Sequence, residues 1–254
     1  MPSPSFIASE LFAKHDIQGI FSERQGGISP SPWDGLNLGF DLGDSHQHIE
    51  NNLHQLCMHA QLPLPHRSKQ VHDTHAIICT GTGIQHTDKA DILLSRTPAT
   101  SIAIRTADCL PILLVDTKHG IAAAVHAGWR GTAKNIAGIA IERMQAMGAQ
   151  TEHILASLGP CIQSCCFEVD MQTADKIIQA HPLAKTHIKI SREKAYVDLQ
   201  SINHLQLQSS GISDKHIEQI KLCTCCLSTR FFSYRRDGMH SGRQLAIVAL
   251  PSKL

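Results

Sequence analysis

Three short segments of the chain each place a side chain that can bind a metal beside a turn or a strand end. They are QVH, which ends at His72, TADCLP, which contains Cys109, and HAGWRG, which begins at His126. Imidazole and thiolate are both good zinc ligands, and three protein ligands with an open fourth position are typical of catalytic zinc. The three segments lie far apart in the chain and lack zinc-finger spacing, so the spacing alone does not predict that they meet.

The third of these segments also offers a site for an anion. The turn at 128–131 opens a predicted helix, and the first N–H groups and positive dipole end of a helix attract anions. Arg130 in this turn and Arg24 in a glycine-rich loop are predicted to contact phosphate through charge-assisted hydrogen bonds. A surface ion pair is the alternative interpretation for both arginines. Asn37 is a further candidate for substrate binding, and fixing its own loop is an equally good interpretation.

Other polar residues near these segments receive a different interpretation. Asp108 precedes Cys109, but on a strand the two side chains would point to opposite faces, so Asp108 is not predicted to orient a ligand. His75 creates a His-x-x-His spacing with His72, which we interpret as incidental. The His46-Gln-His48 pair is similar to the His-x-His pairs of copper oxidases. A multicopper oxidase needs several such pairs, so this feature does not favour blue-copper chemistry.

Two cysteine-rich segments could together form a second zinc site. Structural zinc usually takes Cys-x-x-Cys pairs, and these segments offer only one such spacing. We therefore expect them to contribute buried thiols, because a buried cysteine behaves as a small hydrophobic residue. The cysteines concerned are Cys161, Cys165, Cys166, Cys223, Cys225 and Cys226.

The elements that would position the metal-competent residues mix strands with helices. The segment at 24–39 is rich in Gly, Pro, Ser and Asn and is predicted to be a long ordered loop. Apolar runs and helical spacing predict several further elements. The predicted strands are 102–105, 111–115, 121–125, 153–158, 217–223 and 244–250, and the predicted helices are 50–61, 133–147, 170–180 and 199–209. Without a strict alternation of strand and helix, these elements favour an α+β fold with mixed β-sheets covered by helices, in a single domain over 1–254.

The bulk composition excludes several classes of protein. A chain of 254 residues with a net charge of +1 has no basic stripe for nucleic acid. The longest apolar runs have the length of strands, so no membrane span is predicted. The N-terminal stretch lacks the basic and apolar regions of a secretory signal, which predicts a cytoplasmic protein. Nine cysteines cannot all pair within one chain, and in a reducing compartment they are expected to stay free.

Taken together, these motifs resemble the YfiH family, which has been called polyphenol oxidase, laccase-domain protein and purine nucleoside phosphorylase. The resemblance rests on QVH, TADCLPILL, HAGWRGT, GPCI, FEV, DL and FFSYRRDG..SGR, and it extends from Arg24 to Arg243. It implies that His72, Cys109 and His126 are the zinc ligands and the catalytic residues. It also implies an α/β/β/α sandwich similar to cysteine hydrolases of the cytotoxic-necrotizing-factor type. The implied activities are phosphorolysis of adenosine, inosine and methylthioadenosine, together with adenosine deamination.

Several alternatives stay open at this point. A metal-independent cysteine hydrolase or deamidase would use Cys109 as nucleophile and His126 as base. A copper-dependent polyphenol oxidase would use the same donors, with copper in place of zinc. A non-catalytic interaction protein would use the metal only to stabilise its fold. Purine nucleosides and phosphate are the expected partners, and the sequence leaves the oligomeric state open.

Overall fold

Two β-sheets form the centre of the computed structural model, which describes residues 3–40 and 42–252. The strands in these ranges are β1 (Phe6–Ala8), β2 (Gln18–Ser22), β3 (Arg67–Lys69), β4 (Ala76–Ile78), β5 (Gln85–Lys89), β6 (Ile92–Ser95), β7 (Ser101–Thr106), β8 (Leu110–Asp116), β9 (Ile121–Ala127), β10 (Ile154–Leu158), β11 (Glu168–Val169), β12 (Ile188–Ser191), β13 (Lys194–Val197), β14 (Ile217–Gln219) and β15 (Gln244–Ala249). The α-helices there are α1 (Glu10–Ala13), α2 (His46–His59), α3 (Trp129–Ala133), α4 (Ile136–Ala146), α5 (Met171–Ala180), α6 (Leu199–Ser209) and α7 (Tyr234–Asp237).

The two central sheets are of different kinds. The smaller one has the strand order β1-β2-β15-β7 and is antiparallel throughout. The larger one has the order β14-β10-β8-β9-β6-β4; its inner strands pair antiparallel, whereas β14 and β4 join its two edges in parallel. Two further small sheets, β11-β13-β12 and β3-β5, lie outside this pair. The predicted class of mixed sheets covered by helices is confirmed.

Strand β8 explains why the chain stacks these sheets. Its side chains alternate between two separate apolar clusters, because successive residues of a strand point to opposite faces. Ile112 and Leu114 pack in one cluster with residues of α4 and α6. Leu113 and Val115 pack in the other cluster, with residues of β2, β7 and β15 from the smaller sheet. The apolar run of β8 is therefore buried on both faces, as is typical of a central strand.

The helices complete a four-layer arrangement. Leu53 and Leu56 of α2 pack on the outer face of the smaller sheet, against residues such as Ile247 of β15. The outer face of the larger sheet packs against α4 and α6. The layers are therefore helix, sheet, sheet and helix, which is the expected α/β/β/α sandwich. None of the helices within 3–40 and 42–252 has the length and apolar character needed to cross a membrane.

The chain departs from the predicted elements after β9. A single helix was expected over 133–147, but two helices, α3 and α4, are separated by a break at Asn135. Asn135 has a φ of 58°, in the left-handed region that asparagine tolerates better than most residues. The break redirects α3, which packs against α5 instead of continuing along the sheet. Strand β14 is also shorter than expected, since it ends at Gln219 rather than at residue 223.

Candidate metal centre and its pocket

Three donor atoms from three different segments converge at one end of the larger sheet. We call His72, Cys109 and His126 the donor triad; their ligand atoms all lie within 4.8 Å of one another. His126 lies in β9 opposite Pro111 of β8, so Cys109, just before β8, stands beside it. His72 comes from the turn after β3, and its ring centroid lies 4.8 Å from that of His126. The pairing of β8 with β9 therefore brings Cys109 and His126 together, and the segment after β3 adds His72.

Gly128, which has no side chain, leaves room for these donors. A Cβ on Gly128 would lie 2.9 Å from Nδ1 of His72 and 3.0 Å from Sγ of Cys109. Both contacts are closer than side-chain carbons normally approach, so a side chain at this position would push the donors apart. Donors bound tetrahedrally to zinc lie roughly 3.3–3.6 Å from one another, given Zn–S and Zn–N bonds of about 2.3 and 2.0 Å. The spacing and the types of the donors fit a zinc ion.

Asp91 holds two members of the triad in place. This fully buried carboxylate accepts a hydrogen bond from Nδ1 of His126 at 2.7 Å. It also accepts from the main-chain N–H groups of Val71, His72 and Asp73, each at 3.0 Å. These bonds hold the pKa of Asp91 below its ordinary value although burial alone would raise it. Because Nδ1 of His126 donates to the carboxylate, Nε2 is the nitrogen left for a metal.

The electrostatics of the triad favour a thiolate. Burial by itself would raise the pKa of Cys109, but the neighbouring rings of His126 and His72 lower it to about 6. Burial would lower the pKa of His126, but the Cys109 thiolate and the Asp91 carboxylate raise it to about 9. Without a metal, the pair is therefore a thiolate beside an imidazolium at neutral pH. A metal cation binding here takes the place of the imidazolium proton, since zinc binds neutral imidazole and thiolate.

A cavity of about 580 Å³ opens over the triad. Its walls combine positive charge with aromatic rings, a combination suited to a ligand with an anionic group and a flat base. The arginines that line it are Arg105, Arg130, Arg235 and Arg243. The aromatic side chains that line it are Phe40, Trp129, Phe167 and Tyr234.

The arginines are held in different ways. The guanidinium of Arg235 donates to the carbonyls of Cys166 and Glu168, at 2.9 and 3.0 Å. Arg243 donates to the carbonyls of Ser241 and Gly242, and burial lowers its pKa. Arg130 is exposed and lies over the Trp129 ring, with its Cζ 4.5 Å from the ring centroid. Arg130 therefore reaches the cavity from the first turn of α3, and its contact with phosphate stays a prediction.

The structure does not bring Arg24 or Asn37 into this cavity. Arg24 donates to the carbonyl of Ser228 at 2.9 Å and lies over the Phe232 ring, so its charge links two loops away from the triad. Asn37 is fully buried, and its Oδ1 accepts from the main-chain N–H of Arg243 at 3.0 Å. Neither residue is among those that line the cavity, so their predicted contacts with substrate find no support in this geometry, and Asn37 adjoins the cavity through its bond to Arg243.

Asp108 has a different role from the one considered above. It lies in a bend with a φ of 92° and not on a strand, so the strand geometry expected for it does not apply, although it does not bond a member of the triad, as predicted. Its carboxylate accepts from the hydroxyl of Thr224 at 2.7 Å and from the main-chain N–H of Arg235 at 2.6 Å. Asp108 therefore fastens two loops of the cavity wall. Asp91, which sequence reasoning missed, is the carboxylate that orients His126.

The remaining histidines singled out in the sequence lie apart from the triad. His75 is exposed, and its Nε2 lies 3.6 Å from the carboxylate of Asp73. His46 and His48 are at the start of α2, where Nδ1 of His48 contacts Asp44 at 3.1 Å. These contacts agree with the interpretation of His75 and of the His-x-His pair as incidental.

The cysteine-rich segments differ from expectation. Cys161 and Cys223 are buried, as predicted, but Cys165 and Cys226 are exposed. Four of the six sulfur atoms come together, with every pair within 4.8 Å: those of Cys165, Cys166, Cys223 and Cys226. We call these four residues the four-cysteine cluster; the expectation of buried thiols holds in it for Cys223 and is wrong for Cys165 and Cys226.

The chain is similar in sequence and in fold to several known proteins. The model of a family described as multi-copper polyphenol oxidoreductase laccase matches residues 18–251. A purine nucleoside phosphorylase of Deinococcus radiodurans is 32% identical over 98% of this chain and 94% of its own length. An adenosine deaminase, RL5, from an unknown prokaryotic organism is 38% identical over 60% of this chain and 59% of its own. The crystal structure of the hypothetical protein YfiH from Bacillus licheniformis superposes with a TM-score of 0.88 at 29% identity, covering 98% of this chain and 97% of that one.

Proposed function

Because the chain belongs to the YfiH family of multi-copper polyphenol oxidoreductase laccases and is an enzyme, we propose that it is a zinc-dependent purine nucleoside phosphorylase that also deaminates adenosine. In phosphorolysis, an oxygen of phosphate bonds to C1′ of the ribose while the bond from C1′ to the base nitrogen breaks. The base leaves with the electron pair and takes up a proton, and ribose 1-phosphate is the second product. Adenosine, inosine and methylthioadenosine are the proposed nucleosides.

One observation carries this proposal: the donor triad, four arginines and four aromatic rings share one cavity. Phosphate is an anion, and arginine binds it through charge-assisted hydrogen bonds. A purine offers a flat face that aromatic side chains can stack on. A cavity of about 580 Å³ lies within the range of roughly 300–1,000 Å³ typical of small-molecule sites.

His72, Cys109 and His126 would hold the metal, with Nε2 as the donor of His126. Zinc bound there would supply Lewis-acid chemistry, which polarises bonds and lowers the pKa of water. Asp91 keeps His126 in the tautomer that presents Nε2 and fixes the main chain at His72. Arg130, at the start of α3, binds the phosphate, and Arg235 and Arg243 line the wall that positions the nucleoside.

A second candidate is favoured by the electrostatics of the same residues. Cys109, His126 and Asp91 form a nucleophile, a base and a carboxylate that orients the base, as in cysteine hydrolases. Two features support the metal enzyme over this alternative. His72 supplies a third donor within 4.8 Å, and Gly128 leaves the space between the donors open.

Copper-dependent oxidation of phenols is a third possibility raised by the family's description. Within 3–40 and 42–252, the donor clusters that contain histidine have two histidines each. Multicopper oxidases use larger sets of histidines, so two histidines per cluster do not favour this activity.

The test measures release of free base from inosine, adenosine and methylthioadenosine, with and without phosphate. Protein purified without added metal is compared with chelated protein and with chelated protein to which zinc or copper is returned. We expect base release that requires phosphate, disappears on chelation and returns with zinc. Activity of chelated, zinc-free protein would support the cysteine hydrolase, and phenol oxidation restored by copper alone would support the oxidase.

A further inference from the structure

The four-cysteine cluster lies outside the donor triad and has no part in the proposed reaction. Its members come from two segments that meet beside the cavity, Cys165 and Cys166 from one and Cys223 and Cys226 from the other. The Sγ atom of Cys226 lies 3.3 Å from that of Cys166 and 3.6 Å from that of Cys165, and the sulfurs of Cys165 and Cys166 are 3.8 Å apart. Such distances are longer than an S–S bond of about 2.05 Å, so the four residues are free thiols in contact.

The same distances match a tetrahedral metal site. A zinc ion with four Zn–S bonds of about 2.3 Å places its sulfur ligands about 3.8 Å apart. Every pair in the cluster lies within 4.8 Å, so small side-chain movements suffice to close the tetrahedron. We propose that the four-cysteine cluster binds one zinc ion through four thiolates, as a structural site separate from the donor triad.

The main chain around the cluster supports bound thiolates. The N–H groups of Gln163 and Cys226 donate to Sγ of Cys223, an arrangement that stabilises a charged sulfur. A zinc ion with four thiolates carries a net charge of −2, and arginines lie beside both segments. Arg235 donates to the carbonyl of Cys166, and Arg236 donates to the carbonyls of Thr224 and Cys225.

The zinc site would fasten the segment that carries Ile162 and Phe167, which line the cavity, to the segment at 223–226. The main chain already joins them through a bridge between Cys161 and Cys223. Thr224, which follows Cys223, bonds the Asp108 carboxylate next to Cys109. Arg235, which lines the cavity, is held by the carbonyls of Cys166 and Glu168. A metal tying residues 165–166 to 223–226 therefore stabilises the wall without touching substrate.

The test removes the donor triad first. The full-length His72→Ala, Cys109→Ser variant is purified under reducing conditions from cells supplied with zinc, and its metal content is measured. We expect about one zinc per chain, bound to four sulfurs at roughly 2.3 Å in the X-ray absorption spectrum. Adding Cys226→Ser should remove this zinc, whereas adding Cys225→Ser, a neighbouring cysteine outside the cluster, should retain it.

The proposal would be overturned by a double variant that contains no zinc, by an absorption spectrum with nitrogen among the nearest neighbours, or by zinc that survives Cys226→Ser. A disulfide between the two segments in freshly purified, zinc-free protein would also contradict it. The spectrum is recorded on a protein with the cluster intact, so the test stands even where Cys226→Ser fails to fold. It is also independent of the proposed phosphorolysis, because its readout is metal and not activity.

Discussion

The donor triad has a near copy in residue types elsewhere in the molecule. Two histidines and one cysteine, which we call the inner cluster, also bring their ligand atoms within 4.8 Å of one another: His66, Cys79 and His86. In the inner cluster, His66 uses both ring nitrogens. Its Nδ1 lies 2.9 Å from Nε2 of His86, and the Nε2 of His66 lies 3.3 Å from the carbonyl of Gly81. Proximity of the right residue types is therefore common to both places.

The two clusters differ in charge. In the inner cluster, burial raises the pKa of Cys79 to about 12 and lowers the pKa of His66, so burial there disfavours the charged forms of both groups. In the donor triad, the Asp91 carboxylate stabilises the charged form of His126, and His126 in turn stabilises the thiolate of Cys109. A buried carboxylate bonded to His126 and a cavity over the triad, more than the types of the donors, therefore distinguish the donor triad from the inner cluster.

The largest expected difference between the clusters is in the reactivity of their cysteines. The pKa of Cys109 is lowered to about 6, so its thiolate is present above that pH and lost below it. In chelated, reduced protein at pH ~7.5, Cys109 should react with iodoacetamide at least roughly a thousandfold faster than Cys79, because the thiolate is the nucleophile. Mass spectrometry of alkylated peptides measures both rates, and Cys57, whose burial raises its pKa to about 12, is the matched control. The alkylation rate of Cys109 is also measured as a function of pH. A midpoint of that curve near the ordinary pKa of a thiol would contradict the charged pair of Cys109 and His126.

Cys109→Ser should produce the next largest effect. A serine hydroxyl stays protonated and binds zinc poorly, so zinc affinity at the triad should fall by more than ~100-fold, beyond the effect of a residue that only orients a ligand. The variant should lose one zinc per chain relative to the wild type and also lose phosphorolysis. Cys79→Ser makes the same change in the inner cluster and should retain both. Zinc loss from Cys79→Ser as great as from Cys109→Ser would contradict the predicted difference in zinc binding between the two clusters.

Asp91→Asn tests the carboxylate that distinguishes the triad. The amide cannot accept all the hydrogen bonds that Asp91 accepts, so zinc affinity should fall about 10- to 100-fold. Asp116→Asn is a matched control: Asp116 is also fully buried and accepts from three main-chain N–H groups and from Nδ1 of His119. Both variants should lose thermal stability, because each leaves buried groups unsatisfied. Only Asp91→Asn should weaken zinc binding in a competition with a chelator; an equal loss in both would reduce Asp91 to a structural role.

Arg130→Ala should have the smallest of these effects. Arg130 is exposed, so we expect the KM for phosphate to rise roughly tenfold, at the low end for a hydrogen bond to a charged group. Deamination of adenosine should change less, because it uses no phosphate. Arg24→Ala, outside the cavity, should leave the KM for phosphate within about threefold of the wild type. Equal losses in both reactions of Arg130→Ala would mean that Arg130 positions the nucleoside instead.

Much of the scaffold could be predicted because its signals are local. The apolar runs of β8 and β9, the helices α5 and α6, and the loop at 24–39 all follow from patterns within a few residues. The break at Asn135 could not, since an apolar stripe continues across it and only the backbone conformation shows the interruption.

The site shows the same division. The members of the donor triad stand in unusual polar segments at strand ends, whereas Asp91 is one acid before a short apolar strand, without any periodic signal. Asp91 meets His126 only because β6 pairs with β9, with Ile92 opposite Val125. The four-cysteine cluster depends on contacts between residues about sixty positions apart, such as Cys166 and Cys226. Spacing rules for metal sites describe neighbours in sequence, so they do not detect it.

Whether zinc at the donor triad supports the activity can be measured on the acid side of the pH profile. Phosphate-dependent base release and bound zinc are measured on the same samples from about pH 4 to 8. In this range histidine and a thiol with a lowered pKa titrate. Zinc at the triad is taken as the difference between the wild type and Cys109→Ser. Zinc requires deprotonated ligands, so activity and triad zinc should fall together, with more than one proton taken up per zinc released. Activity that persists in samples without zinc at the triad would show that this zinc is not required for base release.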